Sequence, residues 1–127
     1  MDTEDMRARG LALRKQLFGA QQVEGRMKLA GAWGAPLQDI INGFAYGDIW
    51  CRPGLDRKTR SLITIALNAA LNRPFELRVH IQGALSNGCS QDEIREALLH
   101  LIPYCGIPTS MDGHKIAQEV FAEAARG

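Results

Sequence analysis

Hydrophobic residues recur along this chain at helical spacing, in segments separated by glycine and proline. Between Leu37 and Phe44 the apolar positions fall three and four residues apart, and Pro36 fits the first turn of such a helix. Glycine and proline divide the chain into about seven such segments. No alternating pattern typical of a strand exceeds a few residues. The pattern predicts an all-α protein, a single-domain bundle of about six to seven helices.

Capping residues predict where these helices begin. Thr3 can cap a first helix that ends near Phe18, and Asp56 can cap a later one. Ser90 and Glu93 form a capping-box pattern. The predicted helices cover residues 3–18, weakly 22–32, 36–50, 57–71, 74–87, 91–102 and a last segment from about 108.

The segment from Leu62 to Leu71 is apolar nearly all round. A helix of this kind is expected at the centre of a bundle or of an oligomer. The whole chain, residues 1–127, is long enough for one compact domain but short for a large core, so association between copies would add stability. We therefore expect one domain that assembles as a homo-oligomer.

Composition excludes several classes of protein. Hydrophobic residues make up 46% and charged residues 23%, as in ordinary globular domains, and the formal net charge is +1. This charge gives no broad field for nucleic acid or an anionic membrane surface. No apolar run reaches the roughly 20 residues that a membrane span needs, and residues 1–20 are too charged for a signal peptide. We expect a cytoplasmic protein without nucleic-acid or membrane partners.

The three cysteines, Cys51, Cys89 and Cys105, are far apart and odd in number. They form neither a disulfide framework nor a C-x-x-C redox or zinc motif. Cys105 is expected to pack as a small core residue or at a helix end. A nucleophilic role is not expected, because nothing near it in the sequence lowers a thiol pKa. For His100 a contact with a helix end or the core is expected, and for His114 a solvated position.

The segment 74–87 gathers polar residues between two apolar stripes. At about 100° per residue, Glu76, His80, Gly83 and Asn87 fall on one side of the helix, with apolar residues flanking them. Glu76 and His80, one turn apart, are therefore expected to face inward. Two interpretations stay open: a structural buried pair, or an acid–base pair whose histidine titrates near neutrality. No His or Cys lies at ligand spacing from His80, so no metal is expected.

Three arginines, Arg52, Arg57 and Arg60, surround the turn before the apolar helix. Arginine at a helix N-terminus is unfavourable for the helix dipole. The simplest interpretation is a charged helix start. The functional one is a site for carboxylates, which arginine binds through two parallel hydrogen bonds.

Several ordered blocks resemble the carboxymuconolactone decarboxylase family, within the alkylhydroperoxidase D-like superfamily. These blocks are residues 44–55 (FAYGDIWCRPGL), 59–66 (TRSLITIA), 76–80 (ELRVH), 83–88 (GALSNG) and 104–108 (YCGIP). The resemblance is close over about residues 36–121 and looser toward the start of the chain. It implies an all-helical fold that assembles as a homohexamer, or else as a trimer or a trimer of dimers.

The resemblance also implies an activity. It implies decarboxylation of gamma-carboxymuconolactone to the enol-lactone of beta-ketoadipate in aromatic catabolism. The conjugated lactone carbonyl takes up the electron pair that decarboxylation leaves, so no cofactor is expected. In this scheme His80 donates the proton and Glu76 orients it or shares its proton. Arg52 and Arg60 anchor the anionic lactone, and they are preferred to Arg57 because they lie in the matching blocks.

A rival branch of the superfamily reduces peroxides with a C-x-x-C-x-x-x-H motif, but this chain has Arg73 and Glu76 where the cysteines would stand. A peroxidase would have to rely on a single cysteine. A different proton-transfer or lyase reaction on a small cyclic acid is also compatible with these residues, as is a non-enzymatic oligomeric protein. The chain departs from the family pattern at Asn68, at Pro103 and over residues 109–114, which leaves the substrate open.

Overall fold

In the computed structural model, which describes residues 2–127, these residues form helices and short connections without a β-strand. The helices are α1 (Thr3–Phe18), α2 (Ala20–Ile40), a π-helical segment (Ile41–Ile49), α3 (Arg57–Ala70), α4 (Pro74–Ser86), α5 (Gln91–His100), α6 (Ile102–Cys105) and α7 (Ile107–Arg126). The all-α prediction is confirmed. None of the described helices is long and apolar enough to cross a membrane.

The structure confirms two of the predicted helix starts and corrects a third. The Asp56 carboxylate accepts a 2.7 Å hydrogen bond from the backbone N–H of Thr59 and begins α3. Ser90 and Glu93 form the predicted capping box at α5. The cap of α1 is Asp2 rather than Thr3, because the Asp2 carboxylate accepts from the N–H of Asp5.

The chain divides into two compact units, one up to Leu55 and one from Asp56 onward. In the first unit, α2 continues through the position where a helix start was predicted at Pro36. The break lies at Gly31, whose φ of 61° and ψ of −160° are not helical. A positive φ of this kind is open to glycine because it carries no Cβ. The sequence therefore placed the discontinuity five residues too late.

The first unit depends on a close crossing of α1 with the π-helical segment. A Cβ atom on Gly10 would lie 1.6 Å from the carbonyl oxygen of Asn42, and one on Gly47 would lie 2.1 Å from that of Met6. Near the crossing, the Trp50 N–H donates a 2.9 Å hydrogen bond to the carbonyl of Ala45, five residues earlier. This spacing is that of a π-helix, which has a wider turn than an α-helix. The two backbones can approach this closely only because both positions lack a side chain.

The second unit has its core between α3, α4, α5 and α7. The largest fully buried apolar side chains there are Ile65, Ile81, Ile94, Leu98 and Val120. Burial of each such side chain stabilises the fold by about 1.5–3 kcal/mol.

Only one side of α3 is buried, the side that carries Ser61, Ile65 and Ala69. A second apolar stripe on the same helix, formed by Ile63, Leu67 and Leu71, is 44–65% exposed. The expectation that this helix is buried all round is therefore not met within the single chain.

Candidate active site

A side-chain hydrogen bond fixes α3 and α4 beside each other in the second unit. The Nδ2 group of Asn87, just after α4, donates to the hydroxyl of Ser61 over 2.8 Å and to the carbonyl of Arg57 over 3.3 Å. Ser61 lies in the first turns of α3 and is almost fully buried. The end of α4 therefore lies against the start of α3, and the two helices run antiparallel.

His80 lies in the middle of α4, and 9% of its surface is exposed. On either side of it in the sequence, Val79 and Ile81 are also buried. Its burial agrees with the inward position expected from the sequence. With a rise of about 1.5 Å per residue, His80 stands about 10 Å along α4 from Asn87. The imidazole is thus carried by a regular helix and not by a loop.

Glu76 lies one turn before His80 on α4, in the first turn, and its side chain is exposed. The expectation that both residues face inward is therefore wrong for Glu76 in the single chain. The physical reason is its place at the start of the helix, where the dipole favours a carboxylate and the core does not cover it.

Arg60 follows the helix start of α3, and its side chain is half-buried, whereas Arg57 is exposed. The backbone N–H of Thr59 holds the pKa of the Asp56 carboxyl below its usual value of 3.8. Asp56 is therefore ionised at neutral pH, and its charge offsets the unfavourable arginines at the start of α3. Its cap thereby fixes the first turn, and with it the position of Arg60.

The four predicted site residues fall in both units. Arg60, Glu76 and His80 belong to the second unit, on the packed helices α3 and α4. Arg52 belongs to the first unit, in the turn after the π-helical segment, and is exposed.

The remaining histidines have structural partners. The Nδ1 atom of His114 lies 2.7 Å from the carbonyl oxygen of Ser110, so this nitrogen carries the proton and donates it. Ser110 in turn donates to the carbonyl of Leu98. The ring of His100 packs against that of Tyr104, with 5.5 Å between the ring centres. His114 is half-buried rather than solvated.

The cysteines do not form a redox pair. Cys89 is buried, and this burial raises the pKa of its thiol above the usual 9.0, which disfavours the thiolate. Cys51 is half-buried and Cys105 is exposed. Of the two positions expected for Cys105, the core is wrong, and the residue lies at the end of α6. All three are free thiols. Among residues 2–127, no three His, Cys, Asp or Glu side chains come together as metal ligands would.

One buried arginine was missed by the sequence reasoning. Arg14 on α1 is only 4% exposed and donates from Nη1 to the side-chain oxygens of Asn42 (2.7 Å) and Gln38 (3.0 Å). Its guanidinium also lies 6.0 Å from the centre of the Tyr46 ring. A buried arginine requires such partners. The only signal in the sequence was its place between the apolar positions Leu13 and Leu17.

A cavity of about 520 Å³ opens in the second unit beside the start of α4. Arg73, Pro74 and Leu77 line it from α4, and the neighbouring part of its wall comes from α7. None of the four predicted site residues lines this cavity.

A second cavity of about 400 Å³ lies along α7 and includes His114 and Met111 in its wall. It also contains none of the four predicted site residues.

Comparisons with known proteins agree with the resemblance drawn from the sequence blocks. A model of the carboxymuconolactone decarboxylase family matches residues 35–119. The chain is 38% identical to the 4-carboxymuconolactone decarboxylase of Acinetobacter baylyi over 123 residues, which are 97% of this chain and 92% of that protein.

It is also 40% identical to the nitrosuccinic acid decarboxylase of Metarhizium robertsii over 110 residues, 87% of this chain and 77% of that protein. An uncharacterised 15.0 kDa protein of Paracoccus denitrificans is 37% identical over 81 residues, which are 61% of this chain and 60% of that protein.

Proposed function

Because the chain belongs to the carboxymuconolactone decarboxylase family, we propose that its substrate is gamma-carboxymuconolactone or a closely related carboxylated lactone. The chain is a decarboxylase of a small carboxylated substrate. The observation that carries the lactone proposal is the 38% identity to a 4-carboxymuconolactone decarboxylase over 97% of the chain. The proposed product is the enol-lactone of beta-ketoadipate, formed in the breakdown of aromatic compounds.

The proposed reaction needs no external electron acceptor. The bond between the carboxylate and the ring carbon breaks, and carbon dioxide leaves. The electron pair of that bond moves into the conjugated lactone carbonyl, so an enolate forms. One proton then adds to carbon. In total, one carboxylate and one proton are consumed, and carbon dioxide and a carbon–hydrogen bond are formed. The protein has to bind the anion, stabilise the enolate oxygen and supply the proton.

His80 is the proposed proton donor. Its imidazole is buried, so bulk water has little access to the proton it holds, and α4 fixes its position. A histidine can give up a proton near neutral pH and regain it from solvent after the product leaves. The buried histidine is the residue of α4 best suited to protonate a short-lived carbanion.

Glu76 is proposed as the group that orients His80 or shares its proton. The two residues are four apart on one helix, so their side chains can meet by a rotation of the Glu76 side chain. In the conformation described, the carboxylate is exposed. We propose that this carboxylate interacts with the His80 imidazole when substrate is bound.

Arg52 and Arg60 are the proposed carboxylate anchors. A guanidinium binds a carboxylate through two parallel hydrogen bonds and keeps its charge at every physiological pH. Arg60 is half-buried on α3, where a bound carboxylate would be partly shielded from water. This shielding strengthens the ion pair relative to one on the open surface.

A second candidate substrate is a small acyclic acid. It is favoured by the 40% identity to a protein named for nitrosuccinic acid. A nitro group, like a conjugated carbonyl, can take up an electron pair from the adjacent carbon and hold it on oxygen. The same proton donor and the same anion anchors would therefore suit either substrate, because neither reaction requires a redox group.

The direct test is a turnover assay with both substrates. Metal-stripped protein is mixed with freshly prepared gamma-carboxymuconolactone or with nitrosuccinate, and carbon dioxide release is followed against a reaction without enzyme. We expect rapid, stoichiometric release from the lactone. His80→Gln and His80→Ala should both lose turnover while retaining the helical circular dichroism signal, whereas His100→Ala should retain turnover. Full turnover in both His80 variants would exclude the proposed role of His80.

We also propose that the enzyme is a cytoplasmic homo-oligomer, with a homohexamer as the first expectation. Support comes from an apolar stripe on α2 and the π-helical segment that is exposed in the single chain. It consists of Leu29, Trp33, Leu37, Ile40 and Phe44, which are 58–95% exposed. Trp33, Leu37 and Ile40 lie after the break at Gly31, and their spacing of four and three residues places these three on one face of the helix. A patch of this kind on a small protein is typical of an interface.

A further inference from the structure

We infer that the cavity beside the start of α4 binds a small dicarboxylate anion, separately from the residues proposed for the reaction. Its volume of about 520 Å³ is within the range of sites for small molecules. His80, Glu76 and Arg60 are not part of its wall. The inference therefore does not depend on the proposed reaction.

Two helices begin at this cavity. Pro74 is the first residue of α4, Pro108 is the second residue of α7, and both line the wall. The N-terminus of a helix carries a partial positive charge from its unsatisfied N–H groups. α4 has 13 residues and α7 has 20, so both have the length to carry this charge. Their convergence makes the cavity favourable for negative charge.

Two cationic side chains add to this field. Arg73 lines the cavity before α4, and Lys115 lines it from α7. Neither forms an ion pair with a carboxylate anywhere in residues 2–127. In contrast, the cavity residue Glu119 is already held by Arg78, which lowers its repulsion of an incoming anion. Two available cations on opposite helices are suited to two carboxylates of one short ligand.

The backbone that carries Arg73 is held in a defined position. Asn72 adopts a left-handed conformation, with a φ of 57°, where α3 ends. The N–H of Arg73 donates to the carbonyl of Asn68 over 2.9 Å, and that of Asn72 to the carbonyl of Ala69 over 3.2 Å. Together these bonds form a helix-ending Schellman motif. Arg73 is therefore positioned before a ligand arrives, which reduces the entropy lost on binding.

The cavity also collects polar residues from α3 and α7. Asn68 is far from Thr109 and Asp112 in the sequence, and all three line this one wall. Asp112, which has no ion-pair partner in residues 2–127, would further favour a dicarboxylate that also carries an ammonium group.

The test measures binding and not turnover. Succinate is titrated into the full-length protein by isothermal titration calorimetry, and neutral succinamide serves as the uncharged probe. Arg73→Gln and Lys115→Gln should each weaken succinate binding by about tenfold, because each removes one charged hydrogen-bonding partner. Lys28→Gln, an exposed lysine in the first unit, should not change it. Succinamide should not bind.

A second arm separates the two kinds of dicarboxylate. If the ligand carries an ammonium group, L-aspartate binds more tightly than succinate and Asp112→Asn removes the difference. If it does not, Asp112→Asn strengthens succinate binding by removing a repulsive carboxylate. Either result supports the inference.

Some outcomes would overturn it. They are the absence of binding of both dicarboxylates, unchanged binding in the Arg73 and Lys115 variants, or binding lost only in His80→Gln. A failure of lactone turnover would leave these measurements unaffected.

Discussion

The side-chain amide of Asn87 donates a 2.8 Å hydrogen bond to the buried hydroxyl of Ser61. This contact joins residues 26 positions apart and ties the end of α4 to the start of α3. The two helices carry His80 and Arg60. The bond therefore fixes the register between the proposed proton donor and one proposed carboxylate anchor, at the residue directly after Arg60 and seven residues after His80.

Loss of this bond should destabilise the protein. Asn87→Ala leaves the Ser61 hydroxyl buried without this partner, and we expect the free energy of unfolding to fall by about 1–2 kcal/mol. Urea denaturation followed by circular dichroism measures the change. Ser86→Ala is the matched control, because the exposed Ser86 hydroxyl bonds only to the Gln82 carbonyl on its own helix. Equal stability of the two variants would contradict the importance of the contact.

The crossing of α1 over the π-helical segment should not tolerate a methyl group at Gly10. A Cβ there would meet the Asn42 carbonyl oxygen at 1.6 Å, and backbone atoms cannot move aside as a flexible side chain can. We expect Gly10→Ala to destabilise the fold by about 3 kcal/mol or more. Gly25→Ala, in α2, has nothing within 4 Å of the new atom and should be neutral or slightly stabilising. Thermal unfolding of both variants tests this difference.

Arg60 should contribute to substrate binding through its paired N–H groups. Arg60→Lys retains the charge and loses the bidentate geometry, so we expect KM for the lactone to rise by about tenfold with kcat less affected. Arg57→Lys, the same change three residues earlier on an exposed side chain, should leave KM nearly unchanged. Steady-state kinetics on both variants decides the point. An equal rise in KM at both positions would show that the effect is not specific to Arg60 and would contradict its role as an anchor.

Glu93 should make stability depend on pH in the acid range. The Ser90 backbone N–H and the Lys58 ammonium lower the pKa of Glu93 below its usual 4.5. Above that value the carboxylate is ionised in both the folded and the unfolded chain, so its stabilisation is fully present. As the pH falls, the unfolded chain takes up the proton first, and the stabilisation is lost as the pH passes through the lowered folded pKa.

Glu93→Gln should therefore have a lower Tm than the unmodified protein at neutral pH, and the gap should narrow below about pH 4. Thermal unfolding at a series of pH values measures the gap. Glu96→Gln, on the same helix but outside the capping box, is the control and should not reproduce this narrowing. A gap that stays constant into the acid range would show that the ionised carboxylate of Glu93 does not stabilise the cap.

The exposed stripe on α2 predicts how assembly can be disrupted. Trp33 is 95% exposed in the single chain, so Trp33→Glu should not disturb the fold of the chain itself. At an interface between copies it would bury an unpaired charge, and we expect a lower oligomer mass. Sedimentation velocity measures the mass. Gln21→Glu adds the same charge to another exposed position of α2 and should leave the assembly intact.

Local features of this protein could be predicted from the sequence alone. Asp56 and the Ser90–Glu93 pair were assigned correctly because a cap depends on residues at most three positions apart. The helical spacing of apolar residues likewise identified the all-α class, and the ordered blocks around His80 identified the family. The break at Gly31 was placed late because Pro36 gave the stronger local signal, although the combination of φ 61° and ψ −160° at Gly31 is one that glycine adopts readily.

Burial was decided by the tertiary structure. The periodicity of α4 placed Glu76 and His80 on one side, but only His80 is covered, whereas the Glu76 side of the first turn is exposed. The burial of Arg14 also depends on tertiary contacts. This charged side chain is buried because it bonds to residues 24 and 28 positions away in the sequence. Helix caps and periodicity are set by near neighbours along the chain, whereas burial and cavities depend on which surfaces meet after folding.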